Sequence, residues 1–302
     1  MLKRIFLFGV VNILVILTVT IILNIFGVGH YVTNTGLNYS GLFFFCFVWG
    51  MAGSLISLML SKWMAKFMMG VQLVTENGPH QKLVETVHRL SRRAGLTEMP
   101  EVGIYQSNDL NAFATGPSRN NSLVAISTGL LGHMNEDEIE GVLAHEVGHI
   151  ANGDMVTLAL IQGVLNAFVM FFARVVAYLI DQYMRENDRD GKGLGPMVQY
   201  FLIIVLQIVF GIFASIIVSW FSRLREYRAD EMSAKLSSKD KMISALNALA
   251  RFYPKLSENE EQNPNQSFKA MQISSKGSFL ELFSTHPKLE DRIKALQKLQ
   301  LK

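Results

Sequence analysis

His145-Glu146-Val147-Gly148-His149 is the stretch of this 302-residue chain whose residue types and spacing bear most directly on chemistry. On an α-helix, residues four apart share a face, so both imidazoles can point at one ion while Glu146 lies beside them, toward an open coordination position. With two histidines and one carboxylate as protein ligands, zinc keeps its fourth tetrahedral position for water, whose pKa falls from about 15.7 toward about 7. Glu146 is then the general base, taking a proton as that water attacks a peptide carbonyl and passing it later to the leaving amine. This is peptide hydrolysis without a covalent intermediate, with one Zn2+ per chain as cofactor. The plain alternative is an ordinary amphipathic helix face. The small neighbours Ala144 and Gly148, on a stretch that reads as a helix, favour the metal.

Two histidines do not complete such a site, and the expected third ligand is Glu226. It stands in Arg225-Glu226-Tyr227-Arg228-Ala229-Asp230, directly after a long apolar run, where a continuing helix would put Glu226 and Asp230 on one face. Asp230 would orient a ligand histidine through its second ring nitrogen. A blander role for both acids is salt-bridging to Arg223, Arg225 or Arg228. Asp154 is a rival orienter, or equally a solvated cap at a helix end.

The elements that must position these residues include membrane helices. Half of the residues are hydrophobic, 18% are charged and the mean hydropathy is +0.25, a balance that points to an integral membrane protein. Four apolar runs approach the ~20 residues that cross a ~30 Å hydrocarbon core: Ile5 to Val28, Gly41 to Leu60, Met155 to Ile180 and Met197 to Phe221. The first lacks a small-x-small cleavage site and reads as a retained anchor. The third contains Gln162, Asn166 and Arg174, and a central Arg costs about 2.5–3.5 kcal/mol on insertion scales. By length it reads as a full span whose Arg faces a protein-lined or watery interior; the other reading is a segment that dips in without crossing.

Lys3 and Arg4 precede the first run and Lys62 and Lys66 follow the second, with no Lys or Arg from Gly29 to Leu42, so the N-terminus and the segment after Lys62 read as cytoplasmic. Two spans between Asp154 and Ser222 return the chain to the same side, so both hydrophilic segments can build one site. The expected organisation is a membrane anchor at 1–66, a half carrying the His-Glu-x-x-His helix at 67–154, two further spans at 155–221, and a half carrying the third ligand at 222–302. Leu83, Val84, Val87 and Leu90 fall at helical spacing with Gly95 as C-cap, and strands are expected at Glu101 to Tyr105, Ala112 to Thr115 and Ser122 to Ser127. Asn135 with Glu138 makes a capping-box start for the helix of the motif, running through Ile150. Pro254 to Gly277, rich in Glu, Asn, Gln and Ser, reads as a loop. The single cysteine, Cys46, excludes an intrachain disulfide, and a net charge of +3 scattered at membrane ends argues against a nucleic-acid groove.

The His-Glu-x-x-His helix, the later Glu-x-x-x-Asp and the four runs in this order resemble the HtpX heat-shock proteases, within the CAAX-prenyl-protease-type (gluzincin) membrane zinc metallopeptidases. Asn111-Ala112-Phe113-Ala114-Thr115-Gly116 and Ser284-Thr285-His286-Pro287 through Arg292 match family motifs as well. The resemblance implies an α-helical integral membrane protein with four transmembrane helices and a zincin-like α+β catalytic domain on the cytoplasmic side of a bacterial inner membrane. It implies that Asn111, Ala112 and Phe113 lie on an edge strand binding extended substrate, that His286 is a catalytic residue contacting substrate or the developing oxyanion, and that Arg292, its partner tied to the same site, is a substrate-binding residue. The implied substrates are misfolded or surplus membrane proteins, cleaved in stress-linked quality control in cooperation with other membrane proteases. A CAAX-type prenyl protease, which should have more spans, and a non-catalytic zinc-containing scaffold are the competing readings. Against the scaffold, a structural zinc site has no use for Glu146. On residue evidence alone His286 is a surface histidine at a helix entry, and His30, His80, His88 and His133 carry no assignment.

Overall fold

Apolar length sets the first level of organisation in the computed structural model, which describes residues 21, 32–33, 36–75, 78–188, 191–259 and 284–300. Three helices among them are long and apolar enough to cross a membrane: α1 (Tyr39–Met68), α5 (Asp154–Asn187) and α6 (Pro196–Leu236). They contain the second, third and fourth apolar runs. The first run falls outside the described residues apart from Ile21. A two-stranded hairpin, β1 (Val32–Thr33) with β2 (Gly36–Leu37), precedes α1. The remaining elements are β3 (Gln72–Leu73), α2 (Gln81–Arg93), β4 (Glu101–Tyr105), β5 (Ala112–Ser118), β6 (Asn121–Ser127), α3 (Thr128–His133), α4 (Glu136–Asn152), α7 (Lys239–Asn259) and α8 (Leu289–Lys298).

The chain divides into two compact units, Met1–Ser57 with Leu158–Val218, and Leu58–Thr157 with Ser219–Lys302. In the first, α1 and α5 approach through small residues: a Cβ on Gly50 would stand 2.6 Å from the backbone of Gly163 and Ala167. Ser54 Oγ donates to the carbonyl of Ala159. Arg174 is accommodated locally, since it donates to the Met170 carbonyl at 3.1 Å and its guanidinium lies 5.6 Å from the ring centre of Phe45. The outward faces carry Phe44, Phe47, Phe168, Phe172, Ile208 and Phe213, all exposed, an apolar surface of the kind that acyl chains can cover.

The second unit holds a four-stranded sheet in the order β3-β4-β6-β5, with β4 and β6 parallel and the outer pairs antiparallel. The end of α1 belongs to this unit: Lys62 and Lys66 pair with Glu101 of β4, and Ala65 packs with Val71, Tyr105, Leu123 and Ala125. The expected periodicity of α2 corresponds to Leu83, Val84, Val87 and Leu90, which are buried against Val102, Val124 and Ile126 of the sheet and Leu143, Val147 and Ile150 of α4. That helix ends one residue earlier than expected, with Ala94 as C-cap and Gly95 at φ 74° behind it. Backbone helix in α7 runs on to Asn259, so the expected loop from Pro254 begins later; the buried Met242, Ala245, Leu246 and Ala248 anchor the helix below it, and one Pro removes only one donor. Residues 260–277 of that loop lie outside the described residues.

Helix α4 is the central element of this unit. Asn135 and Glu138 form the capping box expected of them, and Glu138 also accepts from Ser244 and Arg251 of α7. Two glycines let neighbours come close. A Cβ on Gly141 would stand 2.7 Å from the carbonyl oxygen of Lys241, and one on Gly148 would stand 3.1 Å from Met232 Cβ and 3.2 Å from the Ala229 carbonyl oxygen on α6. Gly141→Ala must push α4 and α7 apart, and overpacking of about 1–3 kcal/mol outweighs the roughly 1 kcal/mol that Ala gains over Gly in a helix. The expected result is a lower thermal midpoint in detergent; an unchanged midpoint would show that the two helices part freely.

Candidate active site

The candidate metal-site side chains are delivered by helices of the second unit. His145, Glu146 and His149 come from α4, Asp154 from the first turn of α5, Glu226 and Asp230 from successive turns of α6, and Arg292 from α8. His286 stands in the segment leading into α8. The close approach of α4 and α6 at Gly148 and Ala229 carries Glu226 and Asp230 to the two histidines. Ser233 Oγ adds a hydrogen bond to the Gly141 carbonyl, 2.9 Å.

His145 Nε2 lies 3.4 Å from one carboxylate oxygen of Glu226, and His149 Nε2 lies 3.5 Å from the other. Ligand bonds of ~2.1 Å in a tetrahedron imply ligand-to-ligand separations of ~3.4 Å, so these three groups fit one ion. One ligand atom from each lies within 4.8 Å of the others. Glu226 is 1% exposed, and three nitrogens stand around its Oε2, His286 Nδ1 at 3.0 Å and His145 Nε2 and Arg292 Nη1 at 3.4 Å, so the buried carboxylate lies where positive charge converges.

The outer ring nitrogens are engaged. His145 Nδ1 faces Asp230 Oδ1 at 2.9 Å, and His149 Nδ1 faces Asp154 Oδ2 at 2.7 Å. A carboxylate at Nδ1 keeps the proton there and leaves the Nε2 lone pair for a metal. The choice left open between Asp154 and Asp230 therefore resolves into one aspartate per histidine. Asp154 is buried, so it is no solvated cap. Burial opposes charge on His145, but Asp230 and Glu226 outweigh it and push its pKa up to about 9. His149 is raised too, burial being outweighed by Asp154 and Glu226. The pocket thus favours positive charge at both rings, as a cage for a cation should.

Arg292 sits differently from a substrate-binding side chain. It is buried and donates to both oxygens of Asp230, at 2.8 and 2.6 Å, with Nη1 3.4 Å from Glu226. His286 is 66% exposed, and its Nδ1 lies 3.0 Å from Glu226 Oε2. Ala112 and Phe113 begin β5, with Asn111 just before it; β5 packs on α4 and forms one edge of the sheet. Asn111 is pinned there by two hydrogen bonds with Ser127, N–H to Oγ at 3.1 Å and carbonyl from Ser127 N–H at 2.9 Å. His88 and His133 bond to the carbonyls of Pro100 and Gly129, which accounts for them structurally.

The profile of peptidase family M48 matches residues 78–300, a span that holds all of these side chains. The chain belongs to peptidase family M48. Protease HtpX of Shewanella oneidensis and of Acinetobacter baylyi are each 52% identical to it over 98% of its length, covering 99% and 98% of their own chains. A protease HtpX homolog of Bacillus licheniformis is 50% identical over 98% of this chain and 99% of its own. The chain is therefore an HtpX-type M48 metallopeptidase, and its long apolar helices make it a membrane protease. Its fold resembles the crystal structure of S. mikatae Ste24p, with a TM-score of 0.66 at 18% identity over 98% of this chain; it spans 64% of that longer chain.

The M48 site makes one measurable demand on its ligands. Wild-type chain dialysed against trace Zn2+ should hold one metal, Glu226→Gln none, Asp230→Asn should bind about 10- to 100-fold more weakly, and Glu146→Gln should retain it. Elemental analysis of purified protein reads this out; full metal in Glu226→Gln would remove Glu226 from the ligand set.

Proposed function

We propose that this M48 protease is a zinc-dependent endopeptidase that cleaves misfolded or surplus membrane proteins at the cytoplasmic face of a bacterial inner membrane. The observation that carries this is the meeting of His145 Nε2, His149 Nε2 and the Glu226 carboxylate at 3.4–3.5 Å, beside Glu146. Zinc held by those three groups would polarise a peptide carbonyl and make a water acidic enough to lose its proton near neutral pH. Glu146, one residue after His145 on the same helix, accepts that proton and returns it to the leaving amine. His286, exposed and beside Glu226, is placed to donate to the oxygen that gains charge as the carbonyl is attacked. Arg292 keeps its donors on Asp230, so its part is to hold His145 in place.

Substrate binding falls to β5. Among the described residues no strand pairs with its outer edge, whose backbone groups can take an extended peptide, which gives affinity with little side-chain selectivity. A protease of misfolded proteins needs that combination, because its substrates share an unfolded backbone and no sequence. Such a strand also admits only chain that is already extended, which protects folded neighbours.

The assembly of the site supports the proposed orientation. Residues 58–157 and 219–300 share one unit, so the number of crossings between them is even, and α5 crosses if α6 does. This supports a full span for the third run despite Arg174. Lys62 and Lys66 support the cytoplasmic side for the site.

In detergent, Glu146→Gln should lose at least about 100-fold of the cleavage rate on an unfolded protein such as denatured casein, with its metal retained. Cleavage equal to wild type would end the proposed role. For orientation, single cysteines placed at residues 98 and 290 of a Cys46→Ala chain should both resist a membrane-impermeant thiol reagent in intact cells. Labelling of either from outside would overturn the cytoplasmic assignment.

A further inference from the structure

The two histidines are held by similar arms that end differently. On the His145 arm, Asp230 is gripped by Arg292, whose side chain is 7% exposed. On the His149 arm, Asp154 takes the Nδ1 proton on Oδ2 at 2.7 Å, but its other oxygen, Oδ1, is buried and has no hydrogen-bond partner. Among the described residues, the cation facing Oδ1 is Arg228, with Nη2 at 3.6 Å. Arg228 lies on α6 two residues after Glu226, and its side chain is 55% exposed. A carboxylate buried to 1% exposure needs a counter-charge, and an unpaired oxygen leaves its rotation undetermined.

We propose that Arg228 is a positioning residue of the metal site. Its guanidinium draws Asp154 Oδ1 toward α6, which turns Oδ2 onto His149 Nδ1 and so aims His149 Nε2 at the site. One helix, α6, then supplies a ligand (Glu226), the orienter of His145 (Asp230) and the anchor of the orienter of His149 (Arg228) within five residues. The two arms are unequal. The His145 arm is closed by a buried bidentate pair, whereas the His149 arm is closed by a longer contact at the solvent edge, and it is the arm that yields first. The sequence shows Arg228 only as one of three arginines near Glu226, with nothing to pair it with Asp154, 74 positions earlier.

This rests on His145, His149 and Glu226 being metal ligands, and the test separates the two ideas. Full-length chain in detergent is stripped with chelator and titrated with Zn2+ against a competing chromophoric chelator. Arg228→Gln should weaken Zn2+ affinity about tenfold, the low end for groups that orient ligand histidines. Arg228→Lys should recover most of that loss, and Arg228→Gln added to Asp154→Asn should weaken binding no further than Asp154→Asn alone. With half of the Arg228 side chain in solvent, the substitution opens no cavity; removing its charge from beside buried Asp154 lowers the metal-free unfolding midpoint of Arg228→Gln, whereas Arg228→Lys, which keeps the charge, should hold it. Wild-type affinity in Arg228→Gln overturns the proposal and leaves the metal site standing. A loss that adds in full to that of Asp154→Asn, or a metal-free midpoint that falls in Arg228→Lys as well, overturns it too by assigning Arg228 another role. Failure of the wild-type chain to bind Zn2+ overturns the ligand set and this proposal together.

Discussion

Burial of negative charge is the constraint on which this structure turns. Glu146, Asp154, Glu226 and Asp230 are all buried at one place, and so are the two histidines between them. Breaking a buried ion pair by removing one partner costs about 3–5 kcal/mol, so each carboxylate must be answered. Arg292 answers Asp230 from within, Arg228 faces Asp154 from the edge, and Arg225 comes within 4.0 Å of Glu226. What these leave over is a concentration of charge on Glu226 and at the Nε2 atoms that a divalent cation suits. The same balance gives a reason for so much polarity buried in one place: a metal held there would offset the buried negative charge and tie the helices together.

That cohesion requires three helices to arrive at fixed separations, and small residues set them. Gly141 lets α7 touch α4, and Gly148 lets α6 touch it one face away. The apolar core of α2, α4 and the sheet holds α4 from the other side. The catalytic helix is therefore clamped on all sides, and only its polar stripe opens toward the site. Membrane spans enter this account through chain continuity: α5 begins at Asp154 and α6 runs from apolar residues into Glu226 and Asp230 without a break. Lipid exposure and metal chemistry are properties of different turns of the same helices.

Activity of this kind carries a hazard that the edge strand limits. Under the proposed function, the outer edge of β5, unpaired among the described residues, would take any extended backbone, and selection by backbone alone would suit unfolded substrates. β5 owes its position to β6 and to the Asn111–Ser127 hydrogen bonds that start it at a fixed residue. Its far end is irregular, with a bulge between Thr115 and Ser118 around Gly116 at φ 147°. A Cβ there would stand 2.2 Å from the Asn121 carbonyl oxygen, so this turn of the strand demands glycine.

Local pattern carried a great deal of this. The spacing of His145, Glu146 and His149 on a capped helix, the buried positions of α2, the strand at Glu101–Tyr105 and three of the apolar helices follow from residue types a few positions apart, because helix and strand periodicity are short-range properties. Glu226 and Asp230 were readable as a pair for the same reason, one turn apart on a helix. Which aspartate serves which histidine was not, nor was the turning of Arg292 onto Asp230 rather than toward substrate. The pairing of Arg228 with Asp154 was equally out of reach. Those depend on how α4, α5, α6 and α8 converge, through contacts between residues 62 to 85 positions apart, with His149 and Asp154, five apart, meeting only because of how α5 leaves α4, and only the packed tertiary structure decides which charges share a buried space.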